Sequence, residues 1–335
     1  MRKILVSLIG GQTIPNIRFI KEHKKDVDSY LFISTEEMEK EGKVEMHLAT
    51  LNISFTKIQR IIVEKFSFSK IEDTLLNASL NDENEYIVNI TGGTKPMSIV
   101  ALSFFSIFSN VKIFYVPIGE EKYRQVYPRI EEPEQEFKEK ISLKEYLSCH
   151  NLQLLKKEVK ISRNLNNAQI LLDQLINADG EVNIDEITRA HSMKNTDDRV
   201  YYSGGWFEEL IYSKIKRKFQ LSENQIAYNV KLKNRKSNNE YDAIFVHKDS
   251  IYILECKAYI GTSGLHKKVE GDLYKLGALD DDFGLKVKAI YITTADIGKN
   301  NIKESKSLRE RAKSLKIQMF QLSDLKNDKF LNLIN

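Results

Sequence analysis

The sequence predicts an α/β protein of two folded units joined by a helical stretch. Five β-branched or aromatic runs alternate with helix-length segments in the first part of the chain. Helical spacing takes over near residue 137, and from residue 201 the order becomes helix, two strands, helix, strand, helix. At 335 residues the chain is longer than most single domains.

The runs "KILVSLI" (3–9), "SYLFIS" (29–34), "IQRIIVEKF" (58–66), "EYIVNIT" (85–91) and "VKIFYVP" (111–117) are the expected strands of a parallel sheet with helices on both faces. Pro128 and Pro133, two of only five prolines, punctuate "YPRIEEPEQE" and close a first, Rossmann-like domain at 1–136. Over 137–200, "ISLKEYLSCHNLQLL" and "NNAQILLDQLINADG" carry apolar residues at helical spacing, with Gly180 as a stop. This region is either a small helical linker or a winged-helix-like module. The remainder, 201–335, is a second α/β domain.

Composition narrows the function classes. Hydrophobic content of 41% with 29% charged residues is that of a soluble globular chain, and no apolar run approaches the roughly 20 residues of a membrane helix. The opening "MRKILVSLIGGQTIPN" reads as a buried strand entering a glycine turn, not as a leader. Two cysteines, Cys149 and Cys256, form neither a disulfide framework nor a metal spacing, so a cytoplasmic protein without membrane partners is expected. A net charge of +4 permits nucleic-acid contact without demanding it.

Two stretches carry chemistry. In "NEYDAIFVHKDSIYILECKAY" the strand-like runs flank "HKDS", and a turn centred between Lys248 and Asp249 sets Asp242 across from Glu255 and Glu240 across from Lys257. Alternation along the strand puts Glu255 and Lys257 on one face. Facing carboxylates repel, and a divalent cation between them reverses the sign. Asp242 and Glu255, with the Cys256 carbonyl and waters, suit Mg²⁺ or Mn²⁺, and Lys257 is placed to orient a water or stabilise charge on a phosphate. From the preceding helix, "GGWFEELIYSKI", Glu208 and Glu209 are the candidates to reach the same point, with Trp206 and Phe207 in the core. The basic run Lys231 to Lys236 is either a phosphate contact or a solvated loop.

The second stretch is "VNITGGTKPMSIVAL" (88–102), a strand running into Gly92 and Gly93 with Pro96 opening a helix. The first strand ends in a similar turn, "IGGQTIPN". Neither has the spacing of a Walker A loop or of GxGxxG, so no hydride-transfer cofactor is implied. In a doubly wound sheet strands one and four lie side by side, so the turns meet and their amides and Lys95 attract a phosphate-bearing ligand. The ligand-binding candidates are Gly10, Gln12, Thr13 and Asn16 on the first turn and Thr91, Gly92, Gly93, Thr94 and Lys95 on the second.

Asp242, Glu255-Cys256-Lys257 and Glu208 resemble the PD-(D/E)xK nucleases, which implies a restriction-endonuclease-like fold with catalytic roles for Glu208, Asp242, Glu255 and Lys257. Tyr241 stands where that motif has proline. "TGGTKPM" after the fourth strand resembles the CARF domain, the CRISPR-associated Rossmann-fold sensor. Together the halves are similar to the type III CRISPR ancillary nucleases. That resemblance implies a homodimer that binds a cyclic oligoadenylate, cyclic tetra-adenylate foremost, through Gln12, Thr13, Thr94 and Lys95. It further implies metal-dependent cleavage or nicking of DNA or RNA in antiviral defence. The rival readings are a ligand-responsive DNA-binding regulator without catalysis, and an unregulated repair or restriction nuclease.

Overall fold

The computed structural model describes residues 1–161, 163–178, 201–234, 237–259, 264–278, 283–284, 287–296 and 302–334, with side chains from 305 in the last stretch. The chain divides into two compact units, Met1–Cys149 and His150–Asn335.

Unit 1 is built on a seven-stranded sheet: β1 (Lys3–Leu8), β2 (Ser29–Ser34), β3 (Ile58–Ile62), β4 (Glu85–Asn89), β5 (Val111–Tyr115), β6 (Lys122–Tyr127) and β7 (Glu134–Glu136), in the order β3-β2-β1-β4-β5-β6-β7. The first five strands are parallel, and β6 and β7 extend the sheet antiparallel at one edge. All five expected strands are present, and β1 lies beside β4, with Ser7 opposite Asn89. The chain reverses its winding there, which is where an open α/β sheet leaves a crevice at its carboxyl end. Helices α1 (Ile14–His23), α2 (Glu36–Lys40), α3 (Lys43–Leu51), α4 (Phe68–Asn77) and α5 (Lys95–Phe105) connect the strands, and α6 (Leu143–Cys149) ends the unit. One core is made by Val6, Leu8, Leu31, Ile33, Val88 and Ile113 of the sheet, with Ile71 and Leu75 of α4 and Met97, Ala101 and Phe105 of α5.

Unit 2 holds a six-stranded sheet ordered β13-β12-β11-β10-β9-β8. Its strands are β8 (Gln153–Glu158), β9 (Ile226–Lys233), β10 (Asn238–His247), β11 (Ser250–Lys257), β12 (Val287–Thr293) and β13 (Ile317–Phe320). β8 to β11 are antiparallel neighbours, and β11 to β13 are parallel. Its main helices are α7 (Asn166–Asn177), α8 (Trp206–Lys218), α9 (Leu265–Gly277) and α10 (Ile302–Ser314). Side chains of α7 and α8 share one buried cluster with Ala243, Phe245, Tyr252, Leu254, Cys256, Ile290 and Ile292.

The structure distributes the expected middle region between the units. "ISLKEYLSCHNLQLL" is helical only to Cys149; Asn151 turns left-handed (φ 56°), and Gln153–Glu158 becomes the edge strand of the second sheet. Its leucines satisfy a helical and an extended pattern alike, and pairing with β9 decides between them. The helix expected from "NNAQILLDQLINADG" is α7, buried in the core of unit 2, while Gly180 and the residues up to 200 lie outside the described residues. Among the described residues no helix is long and apolar enough to cross a membrane.

The stacked rings of Phe219, Phe245 and Tyr252, with centroids 5.9 Å and 4.3 Å apart in turn, fill the space between α8 and the hairpin. Phe245→Ala should therefore cost about 3–5 kcal/mol, read as a lower urea midpoint for unit 2.

Candidate functional site

The hairpin of β10 and β11 turns on Lys248 and Asp249, both left-handed (φ 47° and 59°), the conformation of a two-residue loop that matches strand twist. It fixes the pairs Ala243–Leu254, Ile244–Ile253, Phe245–Tyr252, Val246–Ile251 and His247–Ser250, the register anticipated from the sequence. Beyond Ala243 the two strands no longer pair as expected. Asp242 spends one carboxylate oxygen on the Cys256 N–H (2.7 Å), and Glu240 pairs across the other side with Lys231 of β9 (2.5 Å), not with Lys257.

At this opening the Lys257 ammonium stands 2.7 Å from Glu255 Oε1 and 3.3 Å from Asp242 Oδ2. One cation thus touches both carboxylates, which therefore lie on the same side of the sheet. The Glu255 side chain is only 4% exposed and that of Asp242 18%. Burial by itself would lower the Lys257 pKa, but the attraction of Asp242 and Glu255 outweighs it and the ammonium is held charged. Asp242 has the opposite balance. Burial and then repulsion from Glu255 outweigh its lysine and its N–H bond, and its pKa rises to about 6. The two shifts are consistent because one lysine is shared between two anions: the cation gains twice, and each anion keeps a like-charged neighbour.

Glu208, in the first turn of α8, is raised to about 7 by burial and then by Asp242, with Glu255 adding to it. Glu209 is raised by burial, and its electrostatic neighbours are Arg163, Tyr201 and Glu158, away from this cluster. Of the two candidate glutamates, the structure brings Glu208 to the site. The Cys256 side chain is in the hydrophobic core, and burial drives its thiol pKa far up. The Lys257 carbonyl accepts from Thr294 N on the β12 side (3.1 Å), so strand alternation points the Cys256 carbonyl toward β10, where Asp242 sits. Among the described residues no three His, Cys, Asp or Glu side chains converge into a metal cage. The donor set is instead two carboxylates and a carbonyl, a composition suited to a hard, partly hydrated cation.

Sequence reasoning missed four neighbours. Lys275 of α9 lies 3.7 Å from Glu255 Oε1. Asp272, one turn earlier, accepts the hydroxyls of Tyr291 (3.0 Å) and Tyr259. Tyr291 is the residue paired with Glu255 across the β11–β12 ladder. No spacing rule links these positions; only the packing of α9 on the sheet does. Arg235 and Lys236 of the basic run lie outside the described residues.

In unit 1 the two glycine turns touch. A β-carbon on Gly10 would fall 2.6 Å from Gly93 N, and one on Gly92 would fall 1.9 Å from Leu8 O. Gly93 is left-handed (φ 72°), so three of these positions admit glycine alone. Asn16, expected to meet ligand, instead ties the turns together. It is fully buried, its Nδ2 donates to Leu8 O (2.7 Å), and its Oδ1 accepts from Asn89 Nδ2 (2.8 Å). A polar residue in a first helical turn reads the same in sequence whether it faces in or out. Thr91 is likewise internal, its Oγ1 donating to Asn89 Oδ1 (2.6 Å) and accepting from Val116 N (2.7 Å). Thr94 caps α5 and donates to Lys65 O (2.7 Å), and Thr13 is buried at the start of α1. Gln12 and Lys95 are exposed at the mouths of the turns.

Beside the second turn a cleft of about 760 Å³ opens over the ends of β2 and β3, lined by Glu36, Glu37, Glu41 and Glu64 against Lys40 and Lys65. Four carboxylates against two ammoniums make its walls net acidic.

Two stability outcomes follow. Asp242 and Glu208 titrate above their unfolded values, so the folded unit binds more protons between about pH 4 and 7, and stability falls as pH rises through that window. Asp242→Asn should then stabilise the chain by about 1–3 kcal/mol at pH 8 in EDTA and lose that advantage toward pH 4, as read by urea melts. Asn16→Ala leaves two buried partners unmatched and should cost about 2–4 kcal/mol in unit 1, measured the same way.

Residues 4–146 match the family model described as Card1 CARF domain, and residues 195–329 the model described as Card1-like, endonuclease domain. No curated protein matches the sequence. Among solved structures the chain is similar to protein VC1899 from Vibrio cholerae, at 16% identity and TM-score 0.72, covering 99% of this chain and 97% of that one. It is similar to Can2 from Sulfobacillus thermosulfidooxidans, solved with cyclic tetra-adenylate, at 18% identity and TM-score 0.71, covering 99% of both. A type III CRISPR defence DNA nuclease activated by cyclic oligoadenylate matches at 13% identity and TM-score 0.59, over 87% of this chain and 45% of that one. At these identities the likeness is one of fold. With both of its units matched, the chain belongs to the Card1-like nucleases, which join a CARF domain to an endonuclease domain.

Proposed function

We propose that this nuclease is a homodimer switched on by a cyclic oligoadenylate, cyclic tetra-adenylate foremost, and that it then hydrolyses phosphodiesters of DNA or RNA with Mn²⁺ or Mg²⁺ in cytoplasmic antiviral defence. The observation that carries the reading is the Lys257 ammonium shared by Asp242 and Glu255 at the open end of the hairpin. Asp242, Glu255 and the Cys256 carbonyl would hold the metal, whose charge makes a bound water acidic and polarises the phosphate. Lys257 is held charged, so it stabilises developing negative charge and does not serve as a base. Glu208, with a pKa of about 7, is suited to exchange a proton with the attacking water near neutrality.

In unit 1 the ligand is assigned to the amides of Gly10 and Gly93, with Gln12 and Lys95 on the flanks; Asn16, Thr91, Gly92, Thr13 and Thr94 shape the turns from within. Phosphates are favoured there because the N-termini of α1 and α5 both open on this crest. Dimerisation is supported by apolar side chains that α4 and α5 leave exposed, among them Leu76, Ile99 and Leu102. A two-fold symmetric ring fits a two-fold symmetric pair of crests.

The test is cleavage of plasmid, single-stranded DNA and RNA, with and without cyclic tetra- or hexa-adenylate, in Mn²⁺ or EDTA. Glu255→Ala should abolish cleavage, while Lys95→Ala should raise the activator concentration needed by about ten-fold with full cleavage at saturation. Cleavage that proceeds without any oligoadenylate would leave an unregulated nuclease. At a fixed, subsaturating Mn²⁺, activity should rise with pH because protons compete with the metal for Asp242, whose pKa is raised in the metal-free site, and the rise should move to lower pH as Mn²⁺ is increased.

A further inference from the structure

Lys275 has no role in what has been described so far, yet the fold takes trouble to place it. Asp272 of α9 is gripped by two tyrosyl hydroxyls, Tyr291 from β12 and Tyr259 just past the end of β11. Tyr291 is fully buried and sits beside Glu255 in the sheet. Tyr259 is held in turn, its carbonyl accepting from Thr294 Oγ1 (3.1 Å). Burial, then the adjoining Asp272 carboxylate, pushes both tyrosines up, so they remain hydroxyl donors at any working pH. Val269, Leu273 and Leu276 form the buried face of the helix beside Asp272, which fixes its rotation. Lys275, three residues beyond Asp272, is thereby carried to the mouth of the site.

The contact it makes there is an odd one. Glu255 already has an ammonium at 2.7 Å in Lys257; Lys275 stands off at 3.7 Å, with 61% of its side chain in solvent. A contact this long, made by an ammonium that lies mostly in solvent, holds weakly even though its carboxylate partner is buried. Lys275 is therefore only loosely held by Glu255 and able to move to a better-placed anion.

We propose that Lys275 binds a backbone phosphate of the nucleic-acid strand at the cleavage site, resting on Glu255 when no strand is present, and that the Asp272–Tyr259–Tyr291 cluster is its positioning device. This rests on the nuclease reading above and adds the residue through which the site grips its substrate. Lysine suits the role because its flexible stem lets the ammonium swing from carboxylate to phosphate.

The test is binding of a labelled single-stranded DNA to the full chain, with cyclic tetra-adenylate and Ca²⁺, followed by fluorescence anisotropy as salt rises from about 50 to 200 mM. Lys275→Ala should weaken binding by about five- to ten-fold at low salt and reduce the log–log salt slope by about 0.7, the value for one phosphate on a single strand. Lys275→Arg should restore the slope. In cleavage KM should rise with kcat nearly kept, and melting should not change, since the side chain is exposed. Asp272→Asn should act in the same direction, and the double variant should be no weaker than Lys275→Ala alone, because the two act as one device. An unchanged salt slope in Lys275→Ala overturns the proposal while leaving the nuclease reading intact. A wild-type chain that binds none of single-stranded DNA, RNA and plasmid DNA overturns both.

Discussion

The nuclease unit depends on one ammonium shared by two buried carboxylates. Asp242 and Glu255 lie close together with Lys257 touching both, and Lys257 would not stay at the end of an apolar strand without them. The arrangement is strained electrostatically: protons are drawn to Asp242 and Glu208 first by burial and then by an excess of negative charge. Such an excess disfavours the folded unit and favours any cation that enters, the trade expected where a site is kept for chemistry and not for stability.

The hairpin makes that arrangement reachable. Strand pairing ends at Ala243 and Leu254, one residue before the carboxylates. Had the ladder continued, the Cys256 N–H would be spent on β10 backbone. Because it stops, the amide is offered to Asp242, and the strands part beside the carboxylates. Helix α8 brings Glu208 to this gap with its neighbours Trp206 and Phe207 fully buried beneath it, so the glutamate is set by core packing.

Much of this was legible in the sequence for definable reasons. The strands of the first sheet are short β-branched runs bounded by turn residues, and the register of the hairpin followed from counting across a two-residue turn, so Asp242, Glu255 and Lys257 could be grouped from the sequence. What escaped was set by distant packing. Nothing in "EGDLYKL" distinguishes Asp272 and Lys275 from a solvated charge pair until α9 is laid over Tyr291. The leucines before Lys156 fitted a helix as well as the edge strand they form. Asn16 looked like a ligand contact because its type and place were right; only burial between Leu8 and Asn89 reveals that it holds the turns closed.

The backbone-to-backbone contact of Gly10 with Gly93 also limits how this sensor can diversify. Gly10, Gly92 and Gly93 tolerate no larger residue, and beneath them the Thr91 hydroxyl is committed to Asn89 and the Thr94 hydroxyl to the Lys65 carbonyl. Under the proposed assignment of the ligand to these turns, a change of nucleotide ring would fall to Gln12 and Lys95, or to whatever the acidic cleft next door can be made to accept. The pair of turns would pass unaltered from one specificity to the next, as a fixed socket does between interchangeable fittings.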